Sequence, residues 1–212
     1  NFIDMMTKYF YRLNDPITMN KLFFILLIIF NSCNKEKELN LVVNNLFQDN
    51  MVVQHNSITP IWGSVHPNKR VEIQISWGDK YETISDSSGN WRINIKTPKV
   101  DNIPHIIKVQ SSNDEILCKD GLLGEVWLAS GQSNMQWKMR QAENKDELSS
   151  PIYNNNEIRM INVDRNLSLK PLSKFSGEWQ VCSSETVSDF SAVGYFFAKK
   201  LYDELKIPIG II

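Results

Sequence analysis

The sequence predicts an α/β chain in two parts: a β-sandwich domain over residues 40–120, then an incomplete three-layer domain with a parallel sheet over 121–212. Three observations carry that prediction. Between about 40 and 120, apolar and polar residues alternate at period two, with no helical pattern among them. After 121, strand-like apolar runs alternate with a helical pattern, as in a parallel sheet with crossover helices. Finally, Ile209-Gly210-Ile211-Ile212 reads as the opening of a strand. About 90 residues ending there fall short of the ~100–150 of a typical domain, so the second part is expected to be truncated.

In the first part, Val71, Ile73, Ile75 and Trp77 alternate with Glu72, Gln74 and Ser76, which puts one face in a core and the other in water. Trp91, Ile93 and Ile95 alternate likewise with Arg92, Asn94 and Lys96. Between the two runs, Asp86-Ser87-Ser88-Gly89-Asn90 suits a hairpin turn, because Gly and Asn tolerate positive φ. Short runs at 46–53, 58–65 and 105–111, separated by Asn, Pro, Ser or Gly, complete the pattern of a sandwich.

In the second part, Glu125-Val126-Trp127-Leu128-Ala129-Ser130 is a mostly apolar run, as expected of a strand covered on both faces. The polar segment 135–150 is expected to begin as a helix and to end as a loop from Asn144. A second strand is expected over Ile158–Val163. Ala192, Val193, Phe196, Phe197, Leu201 and Leu205 fall at helical spacing, with Lys199, Lys200, Asp203 and Glu204 opposite. Asp189 or Ser191 is placed to cap that helix, Lys206 to complement its dipole, and Pro208 to end it.

Composition narrows the function classes. A charged fraction of 22% with a formal net charge of -1 supplies no global field for nucleic acid or an anionic membrane. Cys33, Cys118 and Cys182 are far apart and have no His beside them, so no metal site and no cofactor is expected. Near the start, Met19-Asn20-Lys21 precedes nine uninterrupted apolar residues, Leu22–Phe30. That is too short for a spanning helix, which needs ~20, but it has the form of an export signal. Asn31-Ser32-Cys33 resembles a bacterial lipoprotein cleavage box with Cys33 lipidated, and 34–39 reads as a polar tether. On this reading Met19 is the start, 1–18 is an upstream extension, and 19–33 directs the protein to the periplasm or outer membrane of a bacterium. Such a compartment permits a Cys118–Cys182 disulfide, although two separate buried thiols are the expectation.

Ser133 is the residue with the clearest chemistry. It follows an apolar strand through Gly131-Gln132, at the carboxyl end of the strand, where open α/β sheets place their ligands. A helix beginning at Ser133 would offer free N–H groups to an oxyanion. The familiar nucleophile elbow reads Gly-x-Ser-x-Gly, and here Met135 replaces the second Gly. By spacing alone a helix-capping serine is the simpler account.

Resemblance changes that balance. Gly124-Glu125-Val126-Trp127-Leu128-Ala129-Ser130-Gly131-Gln132-Ser133-Asn134-Met135 resembles the nucleophile block of the sialate O-acetylesterases, a branch of the SGNH hydrolases. Leu46–Gln54, Ile61-Trp62-Gly63, Phe190–Phe197 and Ile207–Ile212 resemble other stretches of the same family, in the same order. The resemblance implies an SGNH-type domain and a serine esterase that removes O-acetyl groups from sialic acids or related carbohydrates. It implies Ser133 as nucleophile, with its own backbone N–H as one oxyanion donor. The remaining donors and the Asp-x-x-His pair of the family would follow Ile212, so the 212-residue chain is expected to be inactive by itself.

Other residues receive supporting or structural roles. Gln132 is expected to shape the turn, and Asn134 to cap the helix or hold the serine loop. His55, His66 and His105 are expected at the surface or in hairpins. Trp62, Trp77, Trp91 and Trp127, at strand spacing, are expected in the core, whereas Trp137 and Trp179, outside the predicted strands, are better placed to line a sugar site. The expected partner is an O-acetylated carbohydrate, with membrane contact only through the lipid anchor. Two alternatives stand beside this reading: a non-catalytic glycan-binding lipoprotein and an acetyl xylan esterase.

Overall fold

A computed structural model describes residues 40–212, apart from 79, 143, 144 and 173. The upstream extension, the signal segment with Cys33 and the tether lie outside the described residues.

The period-two segments form strands β1 (Val42–Val43), β2 (Val52–Gln54), β3 (Ile58–Ser64), β4 (Arg70–Ile75), β5 (Lys80–Ile84), β6 (Asn90–Lys96), β7 (His105–Ser111) and β8 (Asp114–Trp127). The later elements are helices α1 (Met139–Ala142) and α2 (Lys145–Leu148), strands β9 (Asn155–Ile161) and β10 (Trp179–Cys182), helix α3 (Ala192–Leu205) and strand β11 (Ile209–Ile211). The fold is mixed α/β, with a mostly sheet core and few helices. A three-stranded sheet runs β1-β3-β6, and an eight-stranded sheet runs β10-β9-β11-β8-β7-β4-β5, with β2 also paired to β8.

Alternation places the core. Val71, Ile73 and Ile75 of β4 share one buried apolar cluster with Ile61 of β3 and with Trp91, Ile93 and Ile95 of β6. Burying each such side chain contributes about 1.5–3 kcal/mol before the entropy of ordering is subtracted. Trp77 and Trp62 sit only half-buried, and Trp127 is 44% exposed, so three of the four tryptophans expected in the core stop at its edge.

The turn at 86–90 forms, but it is not a hairpin. Asp86 accepts N–H bonds from Ser88 (2.8 Å) and Asn90 (2.9 Å), and Gly89 has φ +83° with Val65 O where a Cβ would stand. The chain enters this turn from β5, which pairs with β4, and leaves it in β6, which pairs with β3. The turn therefore carries the chain from one sheet to the other. β5 escaped sequence reading because Lys80-Tyr81-Glu82-Thr83-Ile84 buries no side chain fully.

β8 is the longest strand, and it crosses the expected 120/121 boundary unbroken. It pairs antiparallel with β7, then parallel with β2 at Leu122–Gly124, then parallel with β11 at Glu125–Trp127. β11 lies between β8 and β9, parallel to both, as the strand–helix–strand pattern predicts. Gly124 permits this: a Cβ there would stand 2.0 Å from the Pro208 carbonyl oxygen. A register shift against β7 coincides with Asp120 at φ +54°. Arg159 of β9, only 2% exposed, reaches the carbonyl of Asp120 and, at 3.1 Å, its carboxylate. Burial pulls the guanidinium pKa down, and Asp120 opposes that shift.

The later elements bring further corrections. Trp179, expected outside strands and open to a sugar, lies in β10, antiparallel to β9, 4% exposed, with its indole N–H donating to Leu46 O (2.9 Å). The second strand runs over Asn155–Ile161, somewhat earlier than expected. Helix α3 forms where expected, capped by Ser191 and closed by Lys206 in the left-handed region at φ 54°. Its apolar stripe is only partly covered: Val193, Phe196, Phe197 and Leu205 stay 41–49% exposed, with Phe197 edge-on to Trp127.

Cys118 and Cys182 are separate buried thiols, donating to Phe47 O and Tyr153 O respectively (3.2 Å each). Burial pushes each pKa up to about 12.

Two outcomes follow. Gly124→Ala is expected to cost about 1–3 kcal/mol, because backbone cannot yield as a side-chain end does; urea unfolding would measure it. In a Cys33→Ser chain, so that Cys118 and Cys182 are the thiols left, native protein at pH 8 is expected to resist dithionitrobenzoate, and both thiols to react on unfolding.

Candidate active site

β8 ends at Trp127 and delivers the chain to Ser133 through an open turn. Gly131 holds φ +152°, a value that side chains disfavour, and Gln132 is extended. Ser133 then opens a single 3-10 turn, Ser133–Gln136, in which Met135 N–H donates to Gln132 O (2.9 Å). The α-helix expected from Ser133 is absent. The next helix, α1, has four residues and begins at Met139. What remains for an oxyanion is the backbone N–H of Ser133, which makes no backbone hydrogen bond among the described residues.

Ser133, Gln132 and Asn134 are all exposed. No described residue hydrogen-bonds Ser133 Oγ. Gln132 stands at the cap position without a side-chain capping bond, and the Asn134 carbonyl accepts the Trp137 N–H (3.3 Å).

The loop is held from the start of α3. Ser191 Oγ donates to Met135 O (2.5 Å) while accepting the Gly194 N–H (3.1 Å), so one hydroxyl caps α3 and fastens the serine turn. Ala192 N–H donates to Trp137 O (2.7 Å) and Met139 N–H to Phe190 O (2.9 Å). Met139 and Phe190 are fully buried beneath these bonds. Asp189, one of two residues expected to cap α3, instead receives Lys138 Nζ at 2.9 Å and an Arg140 guanidinium N–H on the same Oδ1. The hydrogen bond from Lys138 holds the Asp189 carboxyl below the usual carboxylate range, against the opposing effect of burial.

A cleft of about 640 Å³ opens beyond the carboxyl ends of β8, β9 and β11. Its lining includes Ser130, Met135, Lys138, Asn162, Arg165 and Asp189. Ser133 is not itself in the lining, but Ser130 and Met135 bracket it in the chain. Trp137, expected to line a sugar site, is 51% exposed and likewise outside the lining.

The histidines are engaged elsewhere. His55 Nε2 lies 3.1 Å from Glu125 Oε1, an atom that also accepts Gln54 Nε2 (3.2 Å). His66 Nδ1 lies 3.2 Å from Pro67 O. His105, expected at the surface, is 6% exposed: Nδ1 meets Ser76 Oγ at 2.9 Å and Nε2 meets both Asp101 carboxylate oxygens at 3.1 Å. This Ser–His–Asp chain has the connectivity of a hydrolase triad, but Ser76 Oγ already accepts the Ile106 N–H (3.1 Å) and none of the three lines the cleft. It ties the end of β4 to the start of β7. Among the described residues, no group of three or more His, Cys, Asp or Glu is placed to hold a metal ion.

No protein-family model matches the sequence. The sialate O-acetylesterase of Homo sapiens is 28% identical over 169 residues, covering 72% of this chain and 32% of that protein. The sialate O-acetylesterase of Mus musculus is 25% identical over 214 residues, covering 92% of this chain and 39% of that protein. A crystal structure of a carbohydrate acetylesterase from Xanthomonas citri superimposes with a TM-score of 0.74 at 29% identity, over 81% of this chain and 39% of that one. The chain is similar in sequence to sialate O-acetylesterases and in structure to a carbohydrate acetylesterase. It spans about a third of the length of the relatives it matches.

In this chain, the sequence pattern located the serine turn but not its surroundings. Asn162 and Arg165 follow β9, and only the closing of β11 between β8 and β9 brings their loop to the cleft. Lys138, Arg140 and Asp189 carried a faint signal, being charged residues flanking Met139 and Phe190.

Ser191→Ala removes both the α3 cap and the bond to Met135. Thermal unfolding is expected to show a loss of about 1 kcal/mol, and proteolysis of native protein to increase between Ser130 and Trp137.

Proposed function

We propose that the protein carrying this chain is a serine carbohydrate O-acetylesterase, acting on sialic acids or related acetylated sugars. The supporting observation is Ser133 exposed after β8, with an uncommitted backbone N–H, beside the cleft at the strand carboxyl ends. Ser133 Oγ attacks the acetyl carbonyl carbon and loses its proton. The sugar oxygen leaves with a proton, and water hydrolyses the acetyl-enzyme. The Ser133 N–H takes part of the charge on the tetrahedral oxygen.

Serine needs a general base to attack near neutral pH. His55, His66 and His105 all have other partners, so the base is assigned to residues outside these 212. On this reading, residues 40–120 form a supporting β-sandwich and 121–212 the first portion of the catalytic domain. The segment 19–33 exports the protein, and Cys33 anchors it.

Acetate release from 9-O-acetylated sialic acid and from acetylated xylan, by the full-length protein and its Ser133→Ala variant, tests the reading. Release from the sialic acid is expected, with a drop of about 10³-fold or more in the variant. Equal release by the two proteins would overturn it, and preference for xylan would reassign the substrate. The 212-residue chain by itself is expected to give no burst from p-nitrophenyl acetate above that of Ser133→Ala.

A further inference from the structure

The charged residues on the walls of the cleft are not all paired with one another. Lys138 and Arg140 share the single oxygen Asp189 Oδ1, so two cations stand against one carboxylate at that rim. Arg165 also lines the cleft, is exposed, and has no hydrogen bond or ion pair among the described residues. Asp164, its chain neighbour, also lines the cleft and is tied through its backbone N–H to Ser176 O (2.9 Å). The lining thus sets two cations, Lys138 and Arg165, beside two carboxylates, Asp164 and Asp189, while Arg140, outside the lining, adds a second cation to Asp189. A volume of about 640 Å³ suits a small-molecule site rather than a flat contact.

We propose that Arg165, assisted by Lys138, holds the carboxylate of an acidic sugar in this cleft and so selects acetylated sugar acids over neutral acetylated sugars. The proposal rests on the esterase reading for what happens next to the ligand, but not for the binding itself. The planar guanidinium can take a carboxylate through two parallel N–H bonds, with geometric selectivity that a lone ammonium lacks. The Arg165 side chain is uncommitted, so binding need not break an existing ion pair. Lys138, fixed by Asp189, supplies a second charge without being ordered anew.

The test compares affinities of the full-length protein for N-acetylneuraminic acid and for its neutral carboxamide, by titration calorimetry. Neither ligand carries an O-acetyl group, so the measurement is independent of catalysis. The acid is expected to bind about tenfold more tightly than the amide, and Arg165→Ala to bring that ratio close to one. Arg165→Lys is expected to retain part of the preference. A parent protein that does not prefer the acid, or a preference unchanged in Arg165→Ala, overturns the proposal. Acid preference without Ser133-dependent acetate release would keep the carboxylate site and remove the esterase, so the two failures are distinguishable. Unchanged thermal unfolding of Arg165→Ala is expected, because the side chain supports no other residue.

Discussion

Close approach of the Pro208 carbonyl to Gly124 is the constraint on which much of this molecule depends. It lets β11 lie parallel beside β8, with Glu125 N–H donating to Pro208 O at 2.9 Å. From there β8 is zipped on to Ile212, through Ile212 N–H to Trp127 O and Ala129 N–H to Ile212 O. The end of β8 is therefore clamped up to the residue before Ser130. On the proposed reading Ser133 is a nucleophile, which must be held to a fraction of an ångström, and a clamped strand end leading to it supports that precision.

The same strand ties the serine turn to the rest of the structure. Its first half shares the large apolar cluster with the three-stranded sheet through Cys118, and its second half carries Trp127 against α3. Between them, the irregularity at Asp120 takes up the change of partner. Arg159 of β9 binds it through both the Asp120 carbonyl and its carboxylate. A buried guanidinium is costly unless paired, so this contact is better viewed as fixing register than as adding stability.

The serine turn itself has few internal bonds. Its geometry is borrowed from α3, whose cap Ser191 bonds Met135, and from the segment Phe190–Ala192 laid along Trp137–Met139. Such a turn is positioned by tertiary contact and not by its own propensity. That is why a helix expected from sequence is replaced by one 3-10 turn. The Ser76–His105–Asp101 chain makes the converse point: the residue types of a triad, in hydrogen-bond contact, can serve only to join two strands.

The sequence by itself determined the strands whose apolar residues alternate cleanly, the helix over 192–205, and Ser133 as the residue to watch. These depend on local period and on the immediate Gly131-Gln132 step, which are written in neighbouring residues. It could not disclose β5, which buries no side chain fully, or β10, which is separated by a long loop from its partner β9, nor that the 86–90 turn joins two sheets. Burial of His105 and Trp179, and the meeting of Lys138, Arg165 and Asp189 around one cleft, were likewise decided only in three dimensions. Each needs residues far apart in the chain to be brought together, and hydrophobic patterning carries no record of that. Tertiary packing also decided that Ser133 sits exposed beside the cleft, with its N–H uncommitted, because the strand pairing that places it is made by residues far along the chain.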